Sequence, residues 1–354
     1  MYETERYTKI LLAKNGTILE VPLRRGKNDT AFIDTLSFRF SGEHLMQNEP
    51  FFMNVDVANR VSASMHEILG YGITNQAKHS GNRFFQSCWE MRVDDVLYGT
   101  VHIGGQNGLV LVELHGKGCE AALDGWEHRL YYWLRKQKET KITRIDITRD
   151  FFDEKHLNFN KVLRAYKKGS FNRGGQKPTI EKVGRDWDND TQEGKTVYIG
   201  GHCSAIRSCI YDKAKQYGDV ESHWVRFEQR YKGAYMTIPI TVIVECGEYW
   251  NGAYPICGIL GKGGNAKRVV ATKRRLEMTI EDYKRYMKRA CGKGLNAMLS
   301  LNMTPEEIIE ALRDESGQYP ERLKPAAYSI EFAGHQEYLH EKEQTSFQPY
   351  AEFF

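Results

Sequence analysis

The sequence predicts an α+β fold in which helices flank an antiparallel sheet. The predicted order of elements is a β-rich segment, a helix, three strands, a second helix and two or three further strands. No G-x-G-x-x-G sequence follows a predicted strand, so a parallel dinucleotide-binding sheet is disfavoured. The string G-K-G-G-N at 261–265 lacks the spacing of a phosphate-binding P-loop, and we therefore expect no nucleotide-driven helicase activity.

Composition limits the class of protein. The 354 residues suffice for two modest domains or one large domain, and 41% hydrophobic residues support a core. The net charge of +4 is mild, so a nucleic-acid site requires a local basic patch. The seven cysteines form no C-x-x-C pair, which argues against a disulfide framework or a zinc site and favours a reducing cytoplasm. No apolar run approaches the ~18 residues of a membrane span, so we expect no membrane partner.

The first half of the chain predicts an arm, a strand, a helix and a meander. Residues 1–29 are predicted to form a mobile arm or a short extra strand, and 31–40 the first core strand. Residues 54–69 have helical spacing and end at glycines. A meander is predicted from three further strand-like stretches at 83–91, 96–104 and 109–115. We find no internal repeat and no low-complexity segment.

The second half is predicted to begin with a loop at 116–119 and a helix at 121–136. A strand at 142–150, a helix at 158–168 and an irregular polar loop at 173–190 follow. A glycine-rich turn then joins two strands of a hairpin, 196–199 and 206–213, and 224–231 is the last predicted strand.

The return strand of this hairpin carries a candidate nucleophile. Alternation places Arg207, Tyr211 and Lys213 on one face, so a tyrosine hydroxyl lies between two cations. Positive charge favours the phenolate and also binds phosphate, which are the properties that a tyrosine needs to attack a phosphodiester. The alternative is an ordinary tyrosine on a solvated strand face.

Three predicted strands each place one carboxylate in an apolar, β-rich run. These residues are Glu113, Asp146 and Glu228. If the strands are adjacent, the carboxylates form a hard oxygen site suited to Mg²⁺ or Mn²⁺. His115 shares the face of Glu113 and is a further candidate ligand, which would shift the preference towards Mn²⁺. The alternative is a set of separate salt bridges, because each carboxylate has an Arg or His nearby.

The chain changes character after about residue 233. Residues 258–295 are rich in Lys and Arg, and a helix predicted at 279–291 has its cations off its apolar stripe. This density of cations favours contact with DNA phosphate, although a solvated face is the alternative. The candidate DNA contacts here are Lys267, Arg268, Lys273, Arg274 and Arg275. We therefore interpret 234–320 as a basic helical DNA-binding extension and 321–354 as a polar tail.

Three motifs together resemble the replication initiation factor family. They are T-V-Y-I-G-G-H-C-S-A-I-R-S-C-I-Y-D-K at 196–213, R-I-D-I-T-R-D-F at 144–151 and W-V-R-F-E at 224–228. This family contains rolling-circle initiators of filamentous phages and plasmids, together with relaxases of integrative elements. The resemblance covers roughly residues 31–232 and includes the start F-I-D-T-L-S-F. The family's usual Ser-Arg after the glycine is Gly201-His202 here, so His202 would contact phosphate only when protonated.

The resemblance implies a tyrosine-nuclease core, HUH-like and ferredoxin-like, within residues 30–233. It places the nucleophile on Tyr211 and the acidic strand positions on Asp146, Glu228 and, less surely, Glu113. Its hairpin and R-x-E strand add His202, Ser204 and Arg226 as DNA contacts.

The function implied is a metal-dependent, site-specific DNA endonuclease and strand transferase. Such an initiator nicks origin DNA through a covalent 5′-phosphotyrosine link and leaves a 3′-OH primer. Its partners would be single-stranded or supercoiled origin DNA and the helicase and polymerase of a bacterial host, in whose cytoplasm it would work. A second copy of the chain is also expected, because only one tyrosine lies in the motif. The alternatives are a relaxase for conjugative mobilisation of an integrative element and a non-enzymatic origin-binding protein.

Overall fold

In the computed structural model of the chain, the described residues are 7–12, 18–23, 31–46, 52–77, 84–185, 187, 193–269, 280–313 and 316. The chain divides into two compact units, residues 1–272 and 273–354. The predicted DNA contacts Lys273, Arg274 and Arg275 and the predicted tail 321–354 lie outside the described residues.

The first unit contains a two-stranded sheet and a ten-stranded sheet. The small sheet pairs β1 (Tyr7–Leu12) with β2 (Ile18–Leu23), within the predicted arm. The strands of the large sheet are β3 (Phe32–Ser41), β4 (Asn75–Gln76), β5 (Ser87–Val93), β6 (Val96–Ile103), β7 (Leu109–Leu114), β8 (Lys141–Phe151), β9 (Ile180–Val183), β10 (Thr196–Ile199), β11 (Ile206–Asp212) and β12 (Val225–Lys232).

The helices of the first unit are α1 (Gly42–Leu45), α2 (Asn54–Leu69), α3 (Gly116–Ala121), α4 (Trp126–Leu134), α5 (Phe159–Lys167), α6 (Lys213–Gln216), α7 (Cys246–Asn251) and α8 (Pro255–Leu260). The predicted bounds of α2 are confirmed, because Gly70 adopts the left-handed conformation that ends the helix. The second unit contains α9 (Ile280–Ser300) and α10 (Pro305–Leu312), and the side chain of Thr304 caps the start of α10. Among the helices that can be described, none is long and apolar enough to cross a membrane.

The large sheet is antiparallel throughout, with the order β4-β5-β6-β7-β3-β8-β12-β11-β10-β9. This order consists of two halves with the same topology. In each half a strand and a helix precede a four-stranded meander, and the last strand of the meander returns to pair with the first strand. The N-terminal half comprises β3–β7, the C-terminal half comprises β8–β12, and β3 pairs with β8 at their junction. The predicted α+β class with an antiparallel sheet is confirmed, whereas the sequence showed no sign of this repeat.

The two faces of the large sheet differ in chemistry. Apolar side chains on one face, such as Phe38, Val112 and Ile147, form a single core with buried residues of α2, α4 and α7. The opposite face carries Tyr211 and most of the buried or half-buried charged side chains of the strands. Alternation along the strands therefore separates the core from a polar face.

Several predicted boundaries differ from the structure. The predicted loop at 116–119 is the start of α3, β9 lies within the predicted loop at 173–190, and Lys213 begins α6 and does not extend the strand. Residues 234–269 pack on the sheet as part of the first unit, because their apolar side chains, including Met236 and Trp250, are buried in its core. The predicted domain boundary at 233 therefore lies inside this unit.

Candidate active site

The side chain of Tyr211 lies on the polar face near the end of β11. Its hydroxyl donates a hydrogen bond of 2.7 Å to Oε1 of Glu228 on the neighbouring strand β12. Arg230 donates to the other oxygen of Glu228, from Nη2 at 2.8 Å and from Nε at 3.1 Å. Two contacts on one oxygen and one on the other fix the Glu228 carboxylate against the phenol, and these are the contacts of an ionised acid.

Asp146 lies beside this group on β8. Arg144 donates to both of its oxygens, at 2.9 Å and 2.5 Å, and Thr35 donates to Oδ2 at 3.1 Å. Nε of Arg230 lies 3.7 Å from Asp146 as well, so one guanidinium lies between the carboxylates of Asp146 and Glu228. Both carboxylates are almost fully buried, and their charges are offset by these arginines.

The environment of Tyr211 stabilises the neutral phenol. Burial raises the pKa of Tyr211 above its ordinary range, and the Glu228 carboxylate raises it further, while Arg226 opposes both. The sequence predicted that flanking cations would favour the phenolate. That effect is outweighed by burial and by the adjacent Glu228 carboxylate, so the hydroxyl of Tyr211 stays protonated.

The two predicted flanking cations lie in different places. The Lys213 ammonium lies 5.7 Å from the ring centroid of Tyr211 and 5.1 Å from that of Tyr217, and burial lowers its pKa. The Arg207 guanidinium stacks over Tyr198 at 4.1 Å and pairs with Glu181 at 2.8 Å. Arg207 shares the face of Tyr211 but points to other partners.

A second charged network lies next to Tyr211. Arg226 donates to Asp150 from Nε at 2.8 Å and from Nη2 at 3.0 Å, and from Nη1 to Asp34 at 2.9 Å. The pKa of Asp34 is raised to about 6, mainly by burial. Arg226 lowers this pKa and the Glu228 carboxylate raises it. Arg226, a predicted DNA contact, is buried between two carboxylates.

Sequence reasoning missed Asp34. The motif F-I-D-T-L-S-F drew attention to its strand, but not to this residue. Its position depends on an irregularity of the β3–β8 pairing, which period-two alternation does not reveal.

The structure does not bring the four predicted metal ligands together. β3 lies between β7 and β8, so Glu113 is not on a strand adjacent to that of Asp146. Glu113 pairs with His102 at 3.1 Å, and His115 is the N-cap residue of α3. The condition that the three strands be adjacent is met only for the strands of Asp146 and Glu228, because strand order is set by long-range pairing. In the part of the chain that can be described, no group of three or more His, Cys, Asp or Glu is arranged to hold a metal ion.

A smaller set of donors does fit a cation. Asp146 and Glu228 both face the position that the Arg230 guanidinium occupies, and carboxylate oxygens suit Mg²⁺ and Mn²⁺. A divalent ion would compete with this guanidinium for the same oxygens.

The remaining predicted DNA contacts are distributed over the first unit. His202 is exposed in the β10–β11 turn, where its Nδ1 lies 3.2 Å from Nη1 of Arg207, and Ser204 is half-buried in the same turn. Lys267 pairs with Glu245 at 2.7 Å and with Glu248 at 2.9 Å, while Arg268 is exposed.

Comparison with known proteins agrees with the motifs. The family model described as replication initiation factor matches residues 140–312, which include Asp146, Tyr211 and Glu228. No curated protein matches the sequence. Among solved structures, the chain is similar to a rolling circle replication initiator protein from Geobacillus stearothermophilus, at 20% identity and a TM-score of 0.43, over 57% of this chain and 74% of that chain. This match confirms, over residues 140–312, the resemblance to replication initiation factors seen in the sequence motifs.

Proposed function

We propose that this chain initiates rolling-circle replication of a phage or plasmid by nicking origin DNA with Tyr211. The observation that carries the proposal is the partly buried Tyr211–Glu228 hydrogen bond of 2.7 Å, within the segment that matches the family model. A tyrosine held against an ionised carboxylate on the polar face of a sheet has a nucleophilic atom and a proton acceptor in contact.

Glu228 is the proton acceptor in this mechanism. The Tyr211 hydroxyl attacks the scissile phosphorus and transfers its proton to Oε1 of Glu228 as the new P–O bond forms. Arg230 holds the acceptor in place through the other oxygen. The 5′-phosphate remains on Tyr211, and the upstream strand leaves with a 3′-OH that primes synthesis. Because a phosphotyrosine retains the energy of the phosphodiester, the same site can rejoin the strand.

The cations near Tyr211 have different tasks. Lys213 lies beside the phenol ring and is positioned to stabilise charge that builds on the phosphate. Arg207, four residues earlier on the same strand, lies roughly 13 Å along it and would contact the DNA backbone further away. His202 and Ser204 in the adjacent turn would extend that contact.

The metal in this proposal is Mg²⁺ or Mn²⁺, which Asp146 and Oε2 of Glu228 would hold in place of the Arg230 guanidinium, while Oε1 of Glu228 remains the proton acceptor. A divalent ion there would polarise the scissile phosphate. The test is a titration of Mg²⁺ and Mn²⁺ with both the nicking rate and the thermal unfolding temperature as readouts. Asp146→Asn should lose metal-dependent stabilisation as well as nicking. If this variant keeps both at low metal concentration, Asp146 is not a ligand.

The nucleophile is tested by Tyr211→Phe. This variant should bind origin DNA and form no covalent adduct with an oligonucleotide that spans the nick site. Tyr198→Phe and Tyr217→Phe are matched controls, because Tyr198 lies against Arg207 and Tyr217 against Lys213, and both variants should retain adduct formation. An adduct with Tyr211→Phe would show that another residue is the nucleophile.

A second copy of the chain is proposed to complete the circle, because one motif tyrosine serves one transfer. Host helicase and polymerase would extend the primer. In mixtures of Tyr211→Phe and wild type, closure of the circle should fall more steeply than first nicking. Equal losses would instead indicate that one chain performs both transfers.

A further inference from the structure

We propose that Asp34 is the general acid that protonates the 3′-oxygen leaving group when Tyr211 attacks the scissile phosphate. This inference rests on the proposed function. It assigns a catalytic task to a residue that the sequence motifs did not single out, on a strand that precedes the segment matched by the family model.

The position of Asp34 results from a bulge in the sheet. On β3, Ile33 pairs with Ile147 and Thr35 pairs with Asp146, so Asp34 is an extra residue with no partner in the ladder. A bulge of this kind redirects a side chain, and bulges are frequent next to active sites. Here the side chain reaches the polar face, where its Oδ1 accepts from Arg226 at 2.9 Å.

The carboxyl of Asp34 also has room for a substrate. Its side chain keeps 24% of its exposure, although it is surrounded by charged groups. Gly116 at the start of α3 lies beside this carboxyl, since a Cβ there would be 3.6 Å from Oδ2 of Asp34. Tyr211 and Asp34 interact electrostatically, which places both groups in one site.

Burial and two neighbouring carboxylates make Asp34 hard to ionise. Asp150 binds Arg226 through two hydrogen bonds, so Asp34 is the second carboxylate on a guanidinium that is already paired. The other groups that act on it are Glu228 and Asp146, which disfavour its ionisation, and Lys213, which favours it. Together with burial, this balance raises the pKa of Asp34 to about 6, so a fraction of molecules holds the proton near neutral pH.

Two carboxyl groups with opposite protonation provide an acid and a base in one site. Glu228 accepts hydrogen bonds from Tyr211 and Arg230, which is the state needed to receive a proton. In the forward step the Tyr211 proton passes to Glu228, the O–P bond forms, the P–O3′ bond breaks, and the Asp34 proton passes to the 3′-oxygen. In rejoining, the 3′-OH returns its proton to Asp34 as it attacks, and Tyr211 recovers its proton from Glu228.

The test replaces the leaving group. The nick is first mapped on supercoiled DNA that carries the coding region of this chain with its flanks, and an oligonucleotide spanning the nick is made with sulfur in place of the bridging 3′-oxygen. A thiol has a pKa near ~8.5, so the sulfur leaves without needing a proton. Asp34→Asn retains the shape and hydrogen-bonding capacity of the protonated carboxyl but has no proton to transfer.

In single-turnover assays, Asp34→Asn should nick the oxygen oligonucleotide roughly 10²–10⁴-fold more slowly than wild type. On the sulfur oligonucleotide it should return to within a few-fold of the wild-type rate. For wild type, the nicking rate on the oxygen oligonucleotide should fall as pH rises and Asp34 ionises. The rate on the sulfur oligonucleotide should not show this fall. A purely structural role would slow both substrates equally.

Asp150→Asn is the matched control, because it removes the same charge from the same guanidinium and should gain nothing from sulfur. Lys213→Met tests the neighbouring proton donor. Equal loss by Asp34→Asn on both oligonucleotides overturns the proposal, and so does sulfur rescue of Lys213→Met instead.

These outcomes are distinct from failure of the proposed function. If Tyr211→Phe still forms an adduct, the nucleophile is wrong whatever Asp34 does. If Tyr211→Phe is inactive and Asp34→Asn is not rescued, only the assignment of the acid fails. Thermal unfolding of each variant separates loss of folding from loss of chemistry.

Discussion

The two halves of the large sheet place different side chains at equivalent positions. Glu113 faces Thr100 across β6 and β7, as Glu228 faces Cys209 across β11 and β12. His102 lies two residues after Thr100 on β6, and Tyr211 lies two residues after Cys209 on β11. Nε2 of His102 is 3.1 Å from Glu113, and the Tyr211 hydroxyl is 2.7 Å from Glu228.

Both halves of the sheet therefore place a ring-bearing side chain against a glutamate at the same position. In the N-terminal half, His102 is 1% exposed and its ring lies 5.9 Å from that of Phe85, so it is enclosed. In the C-terminal half, Tyr211 is half-buried beside Lys213. Access to substrate and nearby positive charge, rather than the paired glutamate, distinguish the proposed active half.

The junction between the halves is where this symmetry breaks. When the two halves are exchanged, β3 takes the place of β8, and the pair Phe32–Thr148 takes the place of the pair Ser37–Arg144. The pair Thr35–Asp146 lies at the centre of this exchange. Asp34 is the one inserted residue on β3 in this stretch and has no counterpart on β8. The bulge therefore supplies the active half with a carboxyl group that the repeat alone would not provide.

The largest difference is expected when each of the two equivalent glutamates is replaced by glutamine in turn. Glu228→Gln removes the proposed proton acceptor of Tyr211 and should slow single-turnover nicking by roughly 10²–10⁴-fold. Glu113→Gln alters the equivalent residue of the other half and should change the rate by a few-fold at most. Both variants should bind origin DNA as wild type does, and equal losses in rate would show that both halves take part in the chemistry.

The next test replaces Asp34, the residue inserted at the bulge, and measures the stability of the protein at two pH values. Folding raises the pKa of Asp34 from 3.8 to about 6, so the folded protein resists its ionisation. This penalty is absent at low pH, grows as pH rises from about 4 to 6, and is complete above 6. Asp34→Asn removes it, and the free energy of unfolding should exceed that of wild type by on the order of 2–3 kcal/mol at pH 7. Urea unfolding at pH 4.5 and 7 measures this, and a difference that shrinks as pH rises would contradict it.

A smaller effect on stability is expected from the substitution of a glycine in the N-terminal half. Gly99 occupies the place of Ser208, and a Cβ there would lie 2.5 Å from the carbonyl oxygen of Glu113. Gly99→Ala should therefore destabilise the fold by about 1–3 kcal/mol, as overpacking does. Gly175→Ala is the control, because nothing lies within 4 Å of its Cβ, and it should be close to neutral in thermal unfolding. Equal stability of the two variants would show that β6 and β7 separate easily.

The smallest effect is expected at the centre of the junction. Thr35→Val removes the hydroxyl that donates to Asp146 at 3.1 Å, while Arg144 still binds this carboxylate. The loss should be about 1 kcal/mol in the free energy of unfolding, with nicking reduced by a few-fold at most. A loss of nicking as large as that of Glu228→Gln would mean that Thr35 takes a direct part in the chemistry.

The sequence predicted the features that depend on local pattern. Alternation placed Tyr211 on a polar face, and the motifs placed Asp146 and Glu228 on strands that prove to be neighbours. The helix 54–69 followed from its spacing and its terminal glycine. These elements are determined by residues close together in the chain.

The features that the sequence missed depend on contacts between distant residues. Strand order placed β3 between Glu113 and Asp146, and no local pattern carries that information. The bulge at Asp34 appears only when the registers of β3 and β8 are compared. The repeat is one of topology, since residues at equivalent positions, such as His102 and Tyr211, are chemically different.

The return of the last strand to the first has a consequence for the chain during synthesis. Tyr211 is made before Glu228, and β12 lies between β11 and β8 in the finished sheet. A nascent or prematurely terminated product that stops before Val225 has the proposed nucleophile without its proposed acceptor and leaves β8 and β11 each with an unpaired edge. Such fragments are expected to be prone to aggregate, and the proposed nicking would be restricted to chains whose synthesis has passed Lys232.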